Sequence, residues 1–377
     1  MTITEQDALL FNTLFENIYH QLPSVDSSKD YWFVRAQKGQ FYKSFQTGGY
    51  IAIGWNYITL DDLKNLDEDA IKGKIKEFDS RIEKPGSAYN QMMKFAYSLK
   101  IGDIVIVPSE SPNDFLVGEI TSRPYTESES NIESASNVCP FNKRMNVHWF
   151  GVIPNRDIDP KLYKLVYSGH TITDANAYKK FINRGLYDAY IDHDHMSITF
   201  KVQEENNIDA FEYSTFLHTV LQMVNVVKES DELKDEKVVL RTNVQSKGPI
   251  ELLGHPEILI PVLVFIIILT GGIAFRNLIK RNGANFEVDS KLGKFKAQLN
   301  SDGDEAIKKA QLNSDGDEAI KKAQANKINA EAIALLIDKG MSPQFKGATS
   351  QLDIKAPEVA TRILQDELLE SPEKVEE

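Results

Sequence analysis

The sequence predicts an α+β chain: a strand-rich N-terminal domain, a second small α+β unit, one transmembrane helix and a helical C-terminal tail. Three observations lead there. Short β-branched and aromatic runs alternate with helical stretches between residues 31 and 152. An uncharged run of eighteen residues extends from Ile258 to Phe275. Beyond it, helix-forming sequence is divided by an exact thirteen-residue tandem repeat, AQLNSDGDEAIKK, at 297–309 and 310–322.

Leu9, Leu10, Leu14, Phe15, Ile18 and Leu22 fall at helical spacing and predict an N-terminal packing helix within residues 1–27. Strands are expected at Tyr31–Ala36, Tyr50–Trp55, Ile104–Pro108, Phe115–Ile120 and Met145–Val152, with helices at Asp61–Asn65, Glu68–Ile82 and Ser87–Leu99. Ile104–Val107 is a continuous apolar run between Gly102-Asp103 and Pro108, the pattern of a strand buried on both faces. Thr126–Asn137, where Ser and Thr alternate with Glu and Asn, is expected to be a loop. These elements give a first domain at 28–190.

The second unit, with its linker, spans 191–250. Around its start, a helix is expected at Asp174–Ile182 and a strand at Met196–Val202; a helix at Glu212–Val227 and a strand at Val238–Val244 follow. The charged run Lys228–Lys237 is a solvated separator. The transmembrane segment is placed at 256–279. A span needs roughly 20 apolar residues, and the alternative, a buried helix of a globular unit, needs protein on every side. Pro261 and Gly271-Gly272 also suit a re-entrant hairpin. Six basic residues between Arg276 and Lys296, against Lys237, Arg241 and Lys247 before the span, favour a cytosolic C-terminal flank. Exporting about 250 residues without a signal peptide opposes that topology, so the N-terminal domain is expected in the cytosol and the chain in a cell inner membrane. The tail, 280–377, is expected to be helical at Ala323–Lys339 and Pro357–Leu369.

Composition bounds function. With 55 acidic against 43 basic residues the net charge is −12, which excludes nucleic-acid binding by bulk electrostatics. Residues 28–165 are balanced at 18 of each sign, so any such contact is local. A single cysteine, Cys139, excludes an internal disulfide and a thiolate metal cluster. Asp192-His193-Asp194-His195 offers ligand chemistry, but neighbours on a strand face opposite ways, and the run reads as a polar turn. Neither a glycine-rich phosphate loop nor a His-Glu-x-x-His motif occurs. No catalytic residue, metal or cofactor is expected.

Five blocks carry a family signal: Trp32-Phe33-Val34-Arg35-Ala36-Gln37-Lys38-Gly39, Ile51-Ala52-Ile53-Gly54-Trp55, Gly102-Asp103-Ile104-Val105-Ile106-Val107-Pro108, Val117-Gly118-Glu119-Ile120 and Val147-His148-Trp149. In order and spacing, residues 31–185 resemble the EVE/PUA-like domain at the N-terminus of Mrr-type restriction proteins. The resemblance implies a small β-barrel domain that accepts an extruded or modified base in an aromatic-lined pocket. Arg35, Trp55, Ser109 and Trp149 lie on the matching blocks and are the candidate ligand-binding residues; as core aromatics, Trp55 and Trp149 fit equally well. The nuclease domain of Mrr-type proteins has no counterpart here. The expected function is therefore a membrane-anchored, non-enzymatic reader of modified nucleic acid or a nucleotide signal, by architectural analogy a prokaryotic antiviral effector or sensor. The alternative is a membrane-tethered interaction scaffold. Expected partners are the bilayer, the nucleic acid or nucleotide, and further copies of the chain through the membrane segment or tail.

Overall fold

A computed structural model describes residues 5–110, 113–128, 138–204, 208–230, 233–242, 248–269 and 328–369. The chain divides into two compact units. Residues 26–186 form one, and the residues before and after them form the other.

The chain opens with α1 (Glu5–Gln21) and β1 (Ser24–Val25), both of the outer unit. The inserted unit then runs β2 (Tyr31–Val34), α2 (Tyr42–Gly48), β3 (Tyr50–Ile53), α3 (Leu60–Asn65), α4 (Glu68–Phe78), α5 (Pro85–Met93) and a π-helical turn (Lys94–Ser98). After these come β4 (Ile104–Pro108), β5 (Asp114–Ile120), β6 (Tyr125–Thr126), β7 (Lys143–Pro154), α6 (Tyr163–Val166), β8 (Ile172–Asp174) and α7 (Lys179–Leu186). Its strands form a curled half-barrel sheet in the order β3-β7-β5-β4-β2-β8, with β6 paired to the first two residues of β7.

Period-two alternation explains why β4 reads as an unbroken apolar run. Val105 and Val107 enter one core with Trp32, Val34 and Leu116, whereas Ile104 and Ile106 enter another with Phe33, Phe115 and Val117. Both faces of the central strands are covered. The helices start where capping chemistry places them. Thr59 and Asp62 form a reciprocal capping box at α3, and the Asp67 carboxylate accepts the Ala70 N–H at α4. The helix expected at Asp174–Ile182 begins later, at Lys179. Asp174 instead ends a strand against Trp32, and its carboxylate accepts the Asn176 N–H at 2.8 Å, turning the chain before the helix.

The outer unit continues with β9 (Ala189–Asp192), β10 (His195–Val202), α8 (Ala210–Ser230), β11 (Val239–Thr242), β12 (Gly248–Gly254) and α9 (Pro256–Leu269). It ends with α10 (Ala330–Met341), α11 (Pro343–Gln351), β13 (Ile354–Lys355) and α12 (Glu358–Leu369). Its sheet order is β1-β9-β10-β12-β11, with β13 on β10. His193 and Asp194 form the two-residue turn between β9 and β10, and His193 takes the left-handed φ of 56° that this tight turn requires. Among the described residues no group of His, Cys, Asp and Glu is placed to hold a metal.

The transmembrane helix expected at 256–279 is corrected here. Among the described residues no helix is long and apolar enough to cross a membrane. More decisively, every α9 side chain from Ile258 to Ile268 except Pro261 belongs to the core of the outer unit, and none of these is more than 4% exposed. Protein does surround it: α1, α8, α10, α12, β10 and β12 all pack on α9. Phe11 of α1 meets Phe265 with ring centroids 5.0 Å apart. A helix apolar on all sides is satisfied equally well by a protein interior and by lipid, and here the protein supplies it. The rest of the expected span, its basic flank and the tandem repeat lie outside the described residues, as does the Ser/Thr-rich loop from residue 129 to 137.

Candidate ligand-binding site

The strongest local signal in the inserted unit is the backbone of Trp55. It follows β3 with φ at 57°, a left-handed conformation that a bulky L-residue avoids. Two hydrogen bonds hold it there. The Trp55 carbonyl accepts the Ile58 N–H at 2.9 Å and the Lys143 ammonium at 2.8 Å, and Lys143 also donates to the Ile58 carbonyl at 2.8 Å. Lys143 is fully buried, and desolvation pushes its pKa down to about 8, with the Asp62 carboxylate opposing. An amine whose charge is disfavoured still keeps two N–H donors for those two carbonyls.

Beside Gly54, the residue before Trp55, Phe41 and Phe141 form an aromatic corner. Phe141 lies against Gly54, where an added Cβ would come within 3.3 Å of its ring. Phe41 meets Phe141 edge-on at 5.3 Å. Arg144 secures the Phe141 loop by donating to the Phe141 carbonyl at 3.0 Å and the Cys139 carbonyl at 3.3 Å, while lying 4.1 Å over the Tyr50 ring. Asn56 adds a bond to the Pro140 carbonyl at 2.9 Å. The first two residues of β7 thus pin the two loops that flank the corner. Trp55 and Phe141 remain half-buried.

The second strained segment is Gln37-Lys38-Gly39, with φ of 50°, 57° and 93°. Its tight form follows from close approach to the β4–β5 hairpin: a Cβ on Gly39 would lie 2.1 Å from the Glu110 Cα. This loop leads from Arg35 to Phe41, and hence to the aromatic corner.

Arg35 and Ser109 are each the residue after a strand, β2 and β4, and these strands are parallel neighbours, so both sit at the same end of the sheet. The Arg35 guanidinium donates to the Val166 carbonyl and its backbone N–H to the Thr171 carbonyl at 2.9 Å, tying down the loop after α6. Its Nε is buried with no partner among the described residues, and desolvation lowers the pKa of the group. The Ser109 hydroxyl accepts the Asp114 N–H at 3.2 Å and its own N–H goes to the Asp114 carbonyl at 2.9 Å, closing the hairpin. Trp149 occupies a bulge of β7 over Gly118, where a Cβ would be 2.5 Å from its ring, and its indole N–H goes to the Phe45 carbonyl at 2.8 Å. Its polar end is spent on holding α2.

The left-handed loop therefore leads from Arg35, at the same end of the sheet as Ser109, past the hairpin at Glu110 to Phe41, whose partner Phe141 lies against Gly54 next to Trp55 in the chain. Trp149 is half-buried against the same core as Trp55, with its indole N–H bonded to the Phe45 carbonyl. Phe41, Phe141 and Lys143 escape a sequence reading. The visible cues, Gly39 before Phe41 and a Lys-Arg pair opening a strand, do not reveal a cross-strand partner.

No curated protein and no solved structure matches the chain. Residues 32–176, which hold the sheet from β2 to β8 and every residue of the corner, match the model of a family described as Domain of unknown function (DUF8426).

Proposed function

We propose that the inserted unit is a non-enzymatic reader of a nucleobase, presented in modified nucleic acid or as a nucleotide signal, with Trp55 as its stacking face. The observation that carries this reading is the backbone of Trp55: a partly buried tryptophan in a costly left-handed conformation, its carbonyl held by a buried lysine. Strain of roughly 1–3 kcal/mol persists only where the surroundings over-determine it, and it clusters at ligand sites. Phe141, which meets Phe41 edge-on, lies against Gly54, the residue before Trp55. Arg35 adds a buried Nε donor without a partner among the described residues. The antiviral-effector expectation leaned on a membrane anchor, so the proposal is confined to binding.

Base-to-aromatic stacking is worth about 1–3 kcal/mol per base. Trp55→Ala or Arg35→Ala should therefore weaken binding of single-stranded oligonucleotides carrying 5-methylcytosine about tenfold or more. Fluorescence anisotropy on the full chain measures this, with the thermal midpoint as the check on folding. Trp55→Gly serves if the alanine variant unfolds, because glycine adopts φ of 57° without strain. Unchanged affinity in folded Trp55 and Arg35 variants would sink the reading. Silence of the parent protein towards methylated, unmodified and free nucleotides alike would favour the interaction-scaffold alternative.

A further inference from the structure

A groove of about 700 Å³ runs along α5 and the π-helical turn to the loop that follows α6, and its wall includes Lys84, Asn90, Lys94, Tyr97, Ser98 and His170. No Asp or Glu lines it. Lys84 and Lys94 make no ion pair among the described residues, whereas two of the three lysines of neighbouring α4 do: Lys72 with Glu68 at 2.5 Å and Lys74 with Asp62 at 2.6 Å. With 21 basic and 20 acidic residues the inserted unit is almost neutral, so this is a local concentration of uncompensated positive charge.

Three further features point to a ligand. Gln91, which also lines the groove, is only 6% exposed; its carbonyl accepts the Ile172 N–H at 2.6 Å, which leaves its amide N–H groups without a partner among the described residues. Two aromatic rings are left in solvent, Tyr97 in the groove wall at 53% exposure and Tyr167, three residues before His170, at 81%. The helix also widens at Lys94–Ser98 into π geometry, a local irregularity that recurs at functional sites.

We infer that this groove is a track for single-stranded nucleic acid. Lys84, Lys94 and His170 meet its phosphates, the Gln91 amide donates to it, and Tyr97 and Tyr167 offer faces to unpaired bases. A cationic groove with interleaved aromatics is the arrangement that follows a single strand without reading its sequence; a duplex, its bases already stacked, leaves the two tyrosines unused. The inference rests on the reader proposal for the class of ligand, but the groove lining does not include Trp55.

The test uses the full chain and three labelled probes: a twelve-residue oligothymidylate, the same sugar-phosphate chain without bases, and a duplex. Two phosphate contacts on a single strand give a slope of log affinity against log salt of about −1.4. The parent should bind the oligothymidylate with that slope and more tightly than the duplex. The K84A/K94A double variant should lose at least tenfold on both single-stranded probes, with the slope falling towards zero and the thermal midpoint unchanged. Tyr97→Ala should weaken the base-bearing probe and spare the abasic one. Lysine-dependent binding of the abasic chain, combined with Trp55 variants that bind modified bases as the parent does, would remove the reader proposal and leave the groove standing. Parent-like binding and slope in the double-lysine variant, or no binding of either single strand by the parent at low salt, would overturn the groove.

Discussion

Lys143 shows how much a single side chain decides in the inserted unit. It is a cation by composition, yet burial moves its pKa from an ordinary 10.5 to about 8, so the native state disfavours the ammonium. Between those values the unfolded chain binds the additional proton, and stability therefore rises with pH across the window. Cys139 acts in the opposite sense: burial pushes its thiol from 9.0 up to about 11, so its contribution falls as pH rises from 9 to 11. The clean interval is pH 8 to 9, where the gain should be on the order of 1 kcal/mol. Denaturant unfolding followed by tryptophan fluorescence measures it, since Trp32, Trp55 and Trp149 are the three tryptophans of the chain and all lie in this unit. Lys143→Met should abolish the rise and, by releasing the Trp55 and Ile58 carbonyls, loosen the aromatic corner. A rise that survives in Lys143→Met would assign the titration to another group.

At the scale of elements, α9 and β4 pose the same question with different answers. Both are continuous apolar runs, and such a run states only that water is excluded on every side. For β4 the length of five residues and the flanking Gly102-Asp103 and Pro108 identify a central strand, and the structure places it there. For α9 the run is long enough to suit lipid or protein, and the choice depends on helices distant in sequence. Leu263, fully buried, tests it. Leu263→Ala should destabilise the outer unit by about 2–5 kcal/mol through lost burial and a residual cavity, as measured by calorimetry on the full chain. A cost near zero would mean that α9 leaves that core.

At the scale of the whole molecule, one unit is continuous and the other is not. Residues 26–186 carry their own two cores on the two faces of one sheet, so a fragment of these residues should unfold in a single cooperative transition; a protease-sensitive, non-cooperative fragment would refute this. The outer unit needs both ends of the chain, because α1 covers α9 through Phe11 and Phe15, and Asn12 joins the two segments by donating to the Ile328 carbonyl at 3.0 Å and accepting its N–H at 3.1 Å. Removing residues 1–25 should leave the tryptophan-reported transition of the inserted unit in place while the outer unit loses its calorimetric transition and aggregates. Retention of both transitions would show α1 to be dispensable.

The amino-acid sequence by itself determined what local chemistry can specify. Periodicity and flanking turn residues marked β2 to β5 and β10, helical stretches were marked at α3 and α4, and balanced charge limited nucleic-acid contact to local patches. Tertiary structure decided whatever depends on a partner far along the chain. Phe41 and Phe141 meet across one hundred residues, Lys143 finds the carbonyls of Trp55 and Ile58, and Trp149 turns its indole to Phe45. The same holds for α9: its apolar residues record that it must leave water, but the transfer of apolar surface is non-directional, so only the helices that surround it show that the destination is a protein core.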